Sequence, residues 1–406
     1  MIAWIPGFVL LAALGLGAAE LWARWWIRRH TRHHVWPPGM RLELHQDSAL
    51  FPQAEPRVRF DVNADGERGG DAPRDAAGLL RILVAGGSPA ECFALDQATS
   101  WPGALERRLR TPQSLNAFGA RRVHVGNIGR GGISSQHLDV IFEHLLPEYP
   151  RLSAIVIMIG GNDVFLWLED GAPPAEGNPV SVDDVFQYHP ERPFGRRPGQ
   201  WALPDLARRL RRSWLRPIEV REGAGAWVTR ARRMRAEAKE RRTSVPDPGV
   251  MVNRFERHFR RLLQRAAAHA DRVLVVRQPW FEKDCTAEED ARLWHGGLGK
   301  AWKQEITVYY AQEILNHLMA LVDARAATVA DELGIEHLDL RPVLAPTLDN
   351  YYDFVHYTPA GAAVVARAVA AALLGEGAPP DADRYDGASS FSATSVTCSS
   401  SMPPTR

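Results

Sequence analysis

The chain has 406 residues, and its 49 Lys and Arg against 48 Asp and Glu give a formal net charge of +1. This balance gives no global case for a polyanionic ligand, so no nucleic-acid partner is expected. The cysteines Cys92, Cys285 and Cys398 are too few and too scattered for a disulfide framework or a zinc site. The length suits one large α/β domain with additions, or two domains.

An uncharged N-terminal stretch predicts a membrane anchor over residues 1–27. No charged residue lies between Ile2 and Ala19, and a helix of this length spans about 27 Å, close to the ~30 Å hydrocarbon core of a bilayer. Tryptophans mark both ends, as at a membrane interface. Cleavable signal peptides begin with basic residues, and none precedes this run. We therefore expect an uncleaved, single-pass anchor in the cell membrane, with a signal peptide as the alternative.

Residues 28–75 are predicted to be a juxtamembrane linker, because Pro, Gly, Asp and Arg are frequent there. One short strand is expected near residues 58–62. The uncharged run is followed by a group of arginines, namely Arg24, Arg28, Arg29 and Arg32. By the positive-inside rule, these arginines favour a cytoplasmic location for the rest of the chain.

Strands alternate with helices from about residue 80 onward, which predicts a parallel sheet with helices on both faces. The predicted strands are 81–85, 122–125, 154–159, 272–277 and 335–338. The predicted helices are 100–110, 134–146, 251–270, 304–333 and 358–374. The expected fold is α/β, a three-layer α/β/α sandwich with a parallel sheet over residues 76–375.

Residues 164–249 interrupt this alternation and predict an inserted helical segment. An Arg-rich helical stretch is expected over 206–242, with Trp214 and Trp227 among its apolar positions. We expect a hairpin packed on the domain, while a lid or a contact with an anionic membrane surface is the alternative. Residues 376–406 are rich in Gly, Pro, Ser and Thr and are predicted to form a disordered tail.

Several polar segments are expected to meet at the carboxyl edge of the sheet. They are Gly86-Gly87-Ser88, Asn127-Ile128-Gly129-Arg130-Gly131-Gly132, Gly160-Gly161-Asn162-Asp163 and Asp353-Phe354-Val355-His356. The first three each follow an apolar run typical of a buried strand. In open α/β sheets, ligands bind at the edge where such runs end.

Ser88, His356 and Asp353 are the candidate catalytic residues. A serine hydroxyl needs a nearby base to act as a nucleophile at neutral pH. A histidine, whose ordinary pKa is about 6.5, can take and return that proton. Asp353 can accept a hydrogen bond from the other ring nitrogen and orient the base. Asp353 and His356 are three residues apart on one loop, so both side chains can face the same sheet edge.

Candidate donors for a negatively charged intermediate lie on the other segments. Acyl transfer passes through an oxyanion that needs donors already in place. The backbone N–H of Gly132, the side-chain amide of Asn162 and the backbone N–H of Ser88 can supply them. A simple tight turn at Gly132 and a loop cap at Asn162 are the alternatives. Asn127 and Asp163 are expected to support their own loops.

In this order, the segments resemble the motifs of the SGNH hydrolases, also called the GDSL esterase/lipase family, over roughly residues 80–375. The resemblance implies a flavodoxin-like fold and a serine esterase that forms an acyl-serine intermediate. It also implies the catalytic and oxyanion roles already named, with no metal or cofactor. The family's Gly-Asp-Ser-x-x-x-Gly is altered here, because Gly87 replaces the Asp and Cys92 replaces the last Gly.

Other functions stay open beside ester hydrolysis. The same site can serve an O-acyltransferase, in which a saccharide or lipid hydroxyl replaces water as the acceptor. The altered Gly87 and Cys92 also suit a non-catalytic, membrane-tethered binding or assembly subunit. The expected substrate is a small-molecule, glycan or lipid ester. Anchored relatives often face the cell envelope, against the positive-inside rule, so the sequence leaves the membrane face open.

Overall fold

The architecture is that of a computed structural model, which describes residues 5–30, 32–48, 50–52, 54–73, 75–186 and 201–376. The strands are β1 (Arg41–His45), β2 (Arg57–Asp61), β3 (Leu79–Gly86), β4 (Arg122–Asn127), β5 (Leu152–Met158), β6 (Ile218–Glu222), β7 (Glu240–Arg242), β8 (Ala270–Arg277), β9 (Val308–Tyr310) and β10 (Glu336–Asp339). The helices are α1 (Ile5–His30), α2 (Ser88–Glu91), α3 (Trp101–Leu109), α4 (Pro112–Ala117), α5 (Ser135–Leu145), α6 (Gly161–Glu169), α7 (Val182–Phe186), α8 (Ala202–Leu215), α9 (Gly225–Ala236), α10 (Gly249–His269), α11 (Ala287–Asp290), α12 (Gln312–Glu332) and α13 (Pro359–Leu374). The predicted tail, residues 376–406, lies outside the described residues except for Glu376.

A parallel sheet forms the centre of the described fold, with the strand order β10-β8-β5-β3-β4. The last five residues of both β3 and β5 are buried, as is typical of parallel strands covered on both faces. Helix α3 packs against α13, and α5 and α12 pack against α10. These helices flank the sheet, which confirms the predicted α/β fold.

The carboxyl ends of three adjacent strands bring the polar segments together. Strand β3 lies between β5 and β4, in a register that pairs Gly86 with Met158 and Val84 with Asn127. Gly86 has a φ of +156°, and a Cβ atom there would lie 1.9 Å from the carbonyl oxygen of Met158. Glycine is therefore required where the chain leaves β3 and turns toward Ser88.

The segment 28–75 contains more structure than the one strand predicted near residues 58–62. Strand β1 is antiparallel to β2 and parallel to β6, which comes from the inserted segment. Leu42 and Leu44 of β1 are buried, in alternation with partly exposed neighbours. Strand β1 is not predicted from the sequence, because five alternating residues are a weak signal among the surrounding Pro and Gly residues.

Over residues 206–242, where an Arg-rich helical stretch was predicted, the structure has the helices α8 and α9 together with the strands β6 and β7. Helix α8 ends where Arg216 adopts a φ of +41° and Pro217 follows. A proline disfavours helical geometry in the residue before it, and the alternating sequence after Pro217 forms β6. The helix predicted over 304–333 likewise begins late, because residues 308–310 form β9 and pair with β7.

The N-terminal helix α1 includes one stretch, Gly7–Ile27, that is long and apolar enough to cross a membrane. A signal sequence fits the same length and composition. The carboxylate of Glu20 accepts hydrogen bonds from the backbone N–H groups of Ala202 and Leu203, at 2.8 and 3.0 Å. Helix α1 therefore packs against the first turn of α8 in the inserted segment.

Candidate active site

Ser88 is the first residue of the short helix α2, directly after β3. The N–H of Gly87 donates to the carbonyl of Met158 at 3.1 Å, which ties this turn to β5. The helix ends at Cys92, whose φ of +54° is left-handed and costs a non-glycine residue about 1–2 kcal/mol. A left-handed backbone at this position explains why the Gly-Asp-Ser-x-x-x-Gly motif ends in a glycine where this chain has Cys92. Burial raises the pKa of the Cys92 thiol to about 12, so the thiol stays protonated.

His356 lies between Ser88 and Asp353 in a chain of hydrogen bonds. Its Nε2 is 2.8 Å from the Ser88 Oγ, and its Nδ1 is 2.9 and 2.8 Å from the two carboxylate oxygens of Asp353. The Asp353 Oδ1 also accepts from the backbone N–H groups of Val355 and His356, at 3.0 and 2.9 Å. The fold thus brings together side chains that are separated by 268 positions in the sequence.

Asp353 is fully buried and ionised. Burial alone would raise its pKa, but the charge and hydrogen bonds of His356 outweigh burial and hold the pKa well below its usual range. Trp294 adds a donor, because its indole Nε1 lies 2.9 Å from the Asp353 Oδ2. A buried carboxylate with this many donors keeps the His356 ring in one orientation.

Ser88, Gly132 and Asn162 line one pocket together with His356. Within the described part of the chain, the N–H groups of Ser88 and Gly132 and the side-chain amide of Asn162 have no acceptor. Gly132 has a φ of +74°, in the left-handed region that glycine enters readily. The pocket therefore presents free donors close to Ser88, as stabilisation of an oxyanion requires.

The predicted supporting residues, Asn127 and Asp163, form hydrogen bonds with Ala90, Gly129 and Ser135. The Asn127 Oδ1 accepts from the N–H of Gly129 at 2.7 Å, and its Nδ2 donates to the carbonyl of Ala90 at 2.9 Å. Asp163 accepts from the backbone N–H and the hydroxyl of Ser135, at 2.9 and 2.6 Å. Asn127 therefore supports its own loop, as predicted, whereas Asp163 bonds to the first residue of α5 and not to its own loop. Both residues lie outside the pocket lining.

The pocket in front of Ser88 has a volume of about 310 Å³. Its wall includes the aromatic side chains of Phe165, Trp227, Trp294, His295 and Trp302. The rings of His295 and Trp294 stack with centroids 3.7 Å apart, and burial lowers the pKa of His295 to about 3. The sequence assigns no role to Trp294 and His295, because a Trp-His pair before two glycines matches no functional motif by itself.

His295, Asp353 and His356 offer possible metal-ligand atoms within 4.8 Å of one another. Both ring nitrogens of His356 are already engaged, one by Ser88 and the other by Asp353. A metal ion bound here would remove His356 from one of these partners. The donor set therefore fits the Ser-His-Asp hydrogen-bonded chain better than a metal site.

Comparison with known proteins identifies the family. The GDSL-like lipase/acylhydrolase family matches residues 83–364, a range that includes all the polar segments described above. Among solved structures, the chain is similar to Axe2, an acetylxylan esterase from Geobacillus stearothermophilus, with 15% identity, 73% of this chain and 94% of that chain covered, and a TM-score of 0.39. It is also similar to LAE5, an alpha/beta hydrolase from the metagenome of Lake Arreo, Spain, with 14% identity, the same coverages of 73% and 94%, and a TM-score of 0.39. No curated protein matches the chain.

Proposed function

The chain belongs to the GDSL-like lipase/acylhydrolase family and is an ester-hydrolysing enzyme, and we propose that it works through an acyl intermediate on Ser88. The observation that supports this most strongly is the 2.8 Å contact between the Ser88 Oγ and the His356 Nε2. A nucleophile within hydrogen-bond reach of a base, which is itself oriented by a third group, is what serine-based acyl transfer requires. Asp353 is that third group.

In the first half of the proposed reaction, the Ser88 Oγ bonds to the carbonyl carbon of the ester. Its proton passes to the His356 Nε2, and Asp353 stabilises the resulting imidazolium. The carbonyl oxygen becomes an oxyanion, which accepts from the N–H groups of Ser88 and Gly132 and from the amide of Asn162. The bond to the alcohol oxygen then breaks, and the proton on His356 passes to the leaving alcohol.

In the second half, water attacks the acyl group on Ser88. His356 takes a proton from this water while the same donors hold the new oxyanion. The bond between the acyl carbon and the Ser88 Oγ breaks, and the proton returns to that oxygen. The products are the alcohol and the carboxylic acid, and the enzyme is restored without any cofactor.

The pocket favours a short acyl group on a small-molecule, glycan or lipid alcohol. Its volume of about 310 Å³ lies at the lower end of the range of about 300–1,000 Å³ for ligand pockets. Trp227, Trp294 and Trp302 offer flat apolar surfaces to the rest of the substrate. Glu169 and Lys300 also line the pocket, so its wall is apolar with polar groups.

We expect the full chain, purified in mild detergent, to hydrolyse p-nitrophenyl esters without an added acceptor. Turnover should be fastest for the shortest acyl chains, because the pocket is small. The measurement is the initial rate of p-nitrophenol release across acyl chains of increasing length. A maximum at long chains would contradict the proposed short-acyl specificity.

The acyltransferase alternative predicts a different outcome in the same assay. A transferase must exclude water from the acyl-Ser88 intermediate and position another hydroxyl. If an acyl group stays on Ser88 without turnover, and turnover begins when a saccharide or a lipid alcohol is added, the enzyme is a transferase and not a hydrolase. A folded protein with neither labelling nor turnover would favour the non-catalytic binding subunit.

We expect the Trp294→Phe variant to lose about tenfold in kcat with little change in KM. The ring that stacks on His295 is kept, but Asp353 loses one donor, and a hydrogen bond to a charged group contributes about 1.5–3 kcal/mol. The control is Trp302→Phe, which changes the same pocket without touching Asp353. Equal losses of kcat in the two variants would show that the Trp294 indole N–H has no special role.

We also propose that α1 stays attached and anchors the protein as a single membrane-spanning helix. Supporting observations are the apolar stretch Gly7–Ile27 and the bond from Ala202 to Glu20. Detergent should release the protein from membranes, whereas high salt and carbonate should not. A soluble mature protein that begins after Ala19 would identify a signal peptide instead. A reporter fused after Arg406 would report which membrane face the catalytic body occupies.

A further inference from the structure

The segment from Trp36 to Arg68 lies outside residues 83–364, to which the family match is confined, yet it contacts both loops of the candidate site. We infer that this segment is part of the catalytic apparatus, with Arg68 and Trp36 as positioning residues for the nucleophile helix and the oxyanion loop. The oxyanion loop is defined here as residues 127–132. The catalytic part of this inference rests on the proposed function, whereas the contacts of Arg68 and Trp36 do not depend on it.

Arg68 holds the far end of the nucleophile helix α2. Its guanidinium is buried and donates to the backbone carbonyls of Glu91, Cys92 and Leu95, at 2.6, 2.8 and 2.6 Å. The last carbonyls of a helix have no partners inside the helix, and burial without a partner costs about 1–3 kcal/mol for each group. Arg68 satisfies the last carbonyl of α2, that of Glu91, from another part of the chain, and it also binds two carbonyls of the turn that follows the helix. It thereby holds the end of the helix that begins with Ser88.

The backbone of Arg68 also fixes the start of the oxyanion loop. Its N–H donates to the carbonyl of Asn127 at 2.8 Å, and the N–H of Asn127 donates back to the carbonyl of Arg68 at 3.1 Å. Asn127 is the last residue of β4 and the first of the loop. Arg68 therefore links two parts of the candidate site. Its side chain binds the end of the nucleophile helix, and its backbone pairs with the first residue of the oxyanion loop.

Trp36 holds the middle of the oxyanion loop. Its buried indole Nε1 donates to the carbonyl of Gly129 at 3.2 Å, while the N–H of Gly129 is bound by Asn127. The ring of Trp36 packs edge-on against Phe60, with centroids 4.8 Å apart. The Arg68 guanidinium lies over the Phe60 ring, 4.3 Å from its centre. Trp36, Phe60 and Arg68 thus form one packed unit behind the site.

Glu91 connects the two loops that this unit supports. Its buried carboxyl accepts from the N–H of Gly131, and a Cβ atom on Gly131 would lie 2.8 Å from the Glu91 Oε2. The Gly131 amide is thus engaged by Glu91, whereas the amide of Gly132 has no acceptor among the described residues. Burial raises the pKa of Glu91 to about 7, although Arg68 and Arg130 oppose the rise.

The support from Arg68 also explains how the chain tolerates its altered nucleophile motif. Cys92 stands where the family has a glycine, and it holds a left-handed backbone at some cost. The carbonyl of Cys92 is one of the groups that Arg68 binds. The segment from Trp36 to Arg68 therefore stabilises the turn at Cys92, where a glycine would adopt the left-handed backbone without strain.

The test is the Trp36→Phe variant of the full chain, which removes the indole donor and keeps an aromatic ring. We expect kcat to fall about tenfold with KM unchanged, because misplacing a catalytic group by about 1 Å can cost about a hundredfold. The amides of residues 128–130, all hydrogen-bonded in the structure, should exchange with deuterium faster. The matched control is Trp214→Phe, since Trp214 is 78% exposed and lies away from the site. It should change neither quantity.

Arg68→Lys gives a second, stronger perturbation. A lysine keeps the positive charge, but its compact ammonium group cannot match the planar fork that reaches several carbonyls. We expect a larger fall in kcat and faster exchange in the oxyanion loop. Unchanged exchange in this loop in folded Trp36→Phe would overturn the inference, whether or not the enzyme turns over. A parent protein without turnover, in which Trp36→Phe still speeds loop exchange, would overturn the proposed function and keep the positioning role.

Discussion

Replacing Ser88 with alanine should lower ester turnover by about 10⁴-fold or more, since loss of a catalytic nucleophile leaves only binding and oxyanion stabilisation. The protein should fold normally, because Ser88 is only partly buried and the hydroxyl contacts only His356 among the described residues. Initial rates with a short p-nitrophenyl ester measure the loss. Thermal unfolding of the same samples measures the fold.

The matched control for Ser88→Ala is Ser213→Ala, because Ser213 is exposed on α8 and lies outside the pocket lining. The control should keep the activity of the parent protein. Activity of Ser88→Ala within a few-fold of the parent would assign the nucleophile to another group. A loss of activity accompanied by a large fall in unfolding temperature would instead assign a structural role to Ser88.

The second large effect is expected at His356 and Asp353. His356→Ala removes the base and should lose nearly as much activity as Ser88→Ala, since the residues act as a unit. Asp353→Asn should lose up to about 10⁴-fold in kcat, because an amide at this position no longer favours the productive ring orientation and no longer stabilises the imidazolium. The double variant Ser88→Ala, His356→Ala should be little worse than either single variant.

The control for Asp353→Asn is Asp349→Asn, an exposed position on the same loop. Steady-state kinetics of each variant separate kcat from KM, and the main loss should lie in kcat. Parent-like activity in His356→Ala would refute the pairing of base and nucleophile. Additive losses in the double variant would show that the residues act independently.

The parallel sheet and the candidate site were predictable from the sequence because their signals are local. Each of β3, β4 and β5 is an apolar run that ends in a Gly-rich polar segment, and the carboxyl ends of adjacent parallel strands share one edge. Ser88, Gly132 and Asn162 follow these runs directly. His356 and Asp353 were recognised by their spacing and by the helix that follows them.

The remaining features were not predictable because they depend on contacts between distant segments. Strand β1 is stabilised by pairing with β2 and with the distant strand β6, where Arg41 pairs with Ile218. Without these partners, five alternating residues are a weak signal. Trp294 becomes important only because its indole reaches Asp353. Arg68 resembles any arginine of a charged linker until its buried guanidinium is seen on the carbonyls behind Ser88.

The most direct test of the account is mass spectrometry of the covalent intermediate. The full chain in mild detergent is mixed with a short p-nitrophenyl ester, quenched in acid within the first turnovers, and digested. The account predicts the mass of one acyl group on the peptide that contains Ser88, and no added mass on that peptide in Ser88→Ala. Rapid ester turnover without an acyl group on Ser88, or an acyl group on another residue that persists in Ser88→Ala, would contradict it.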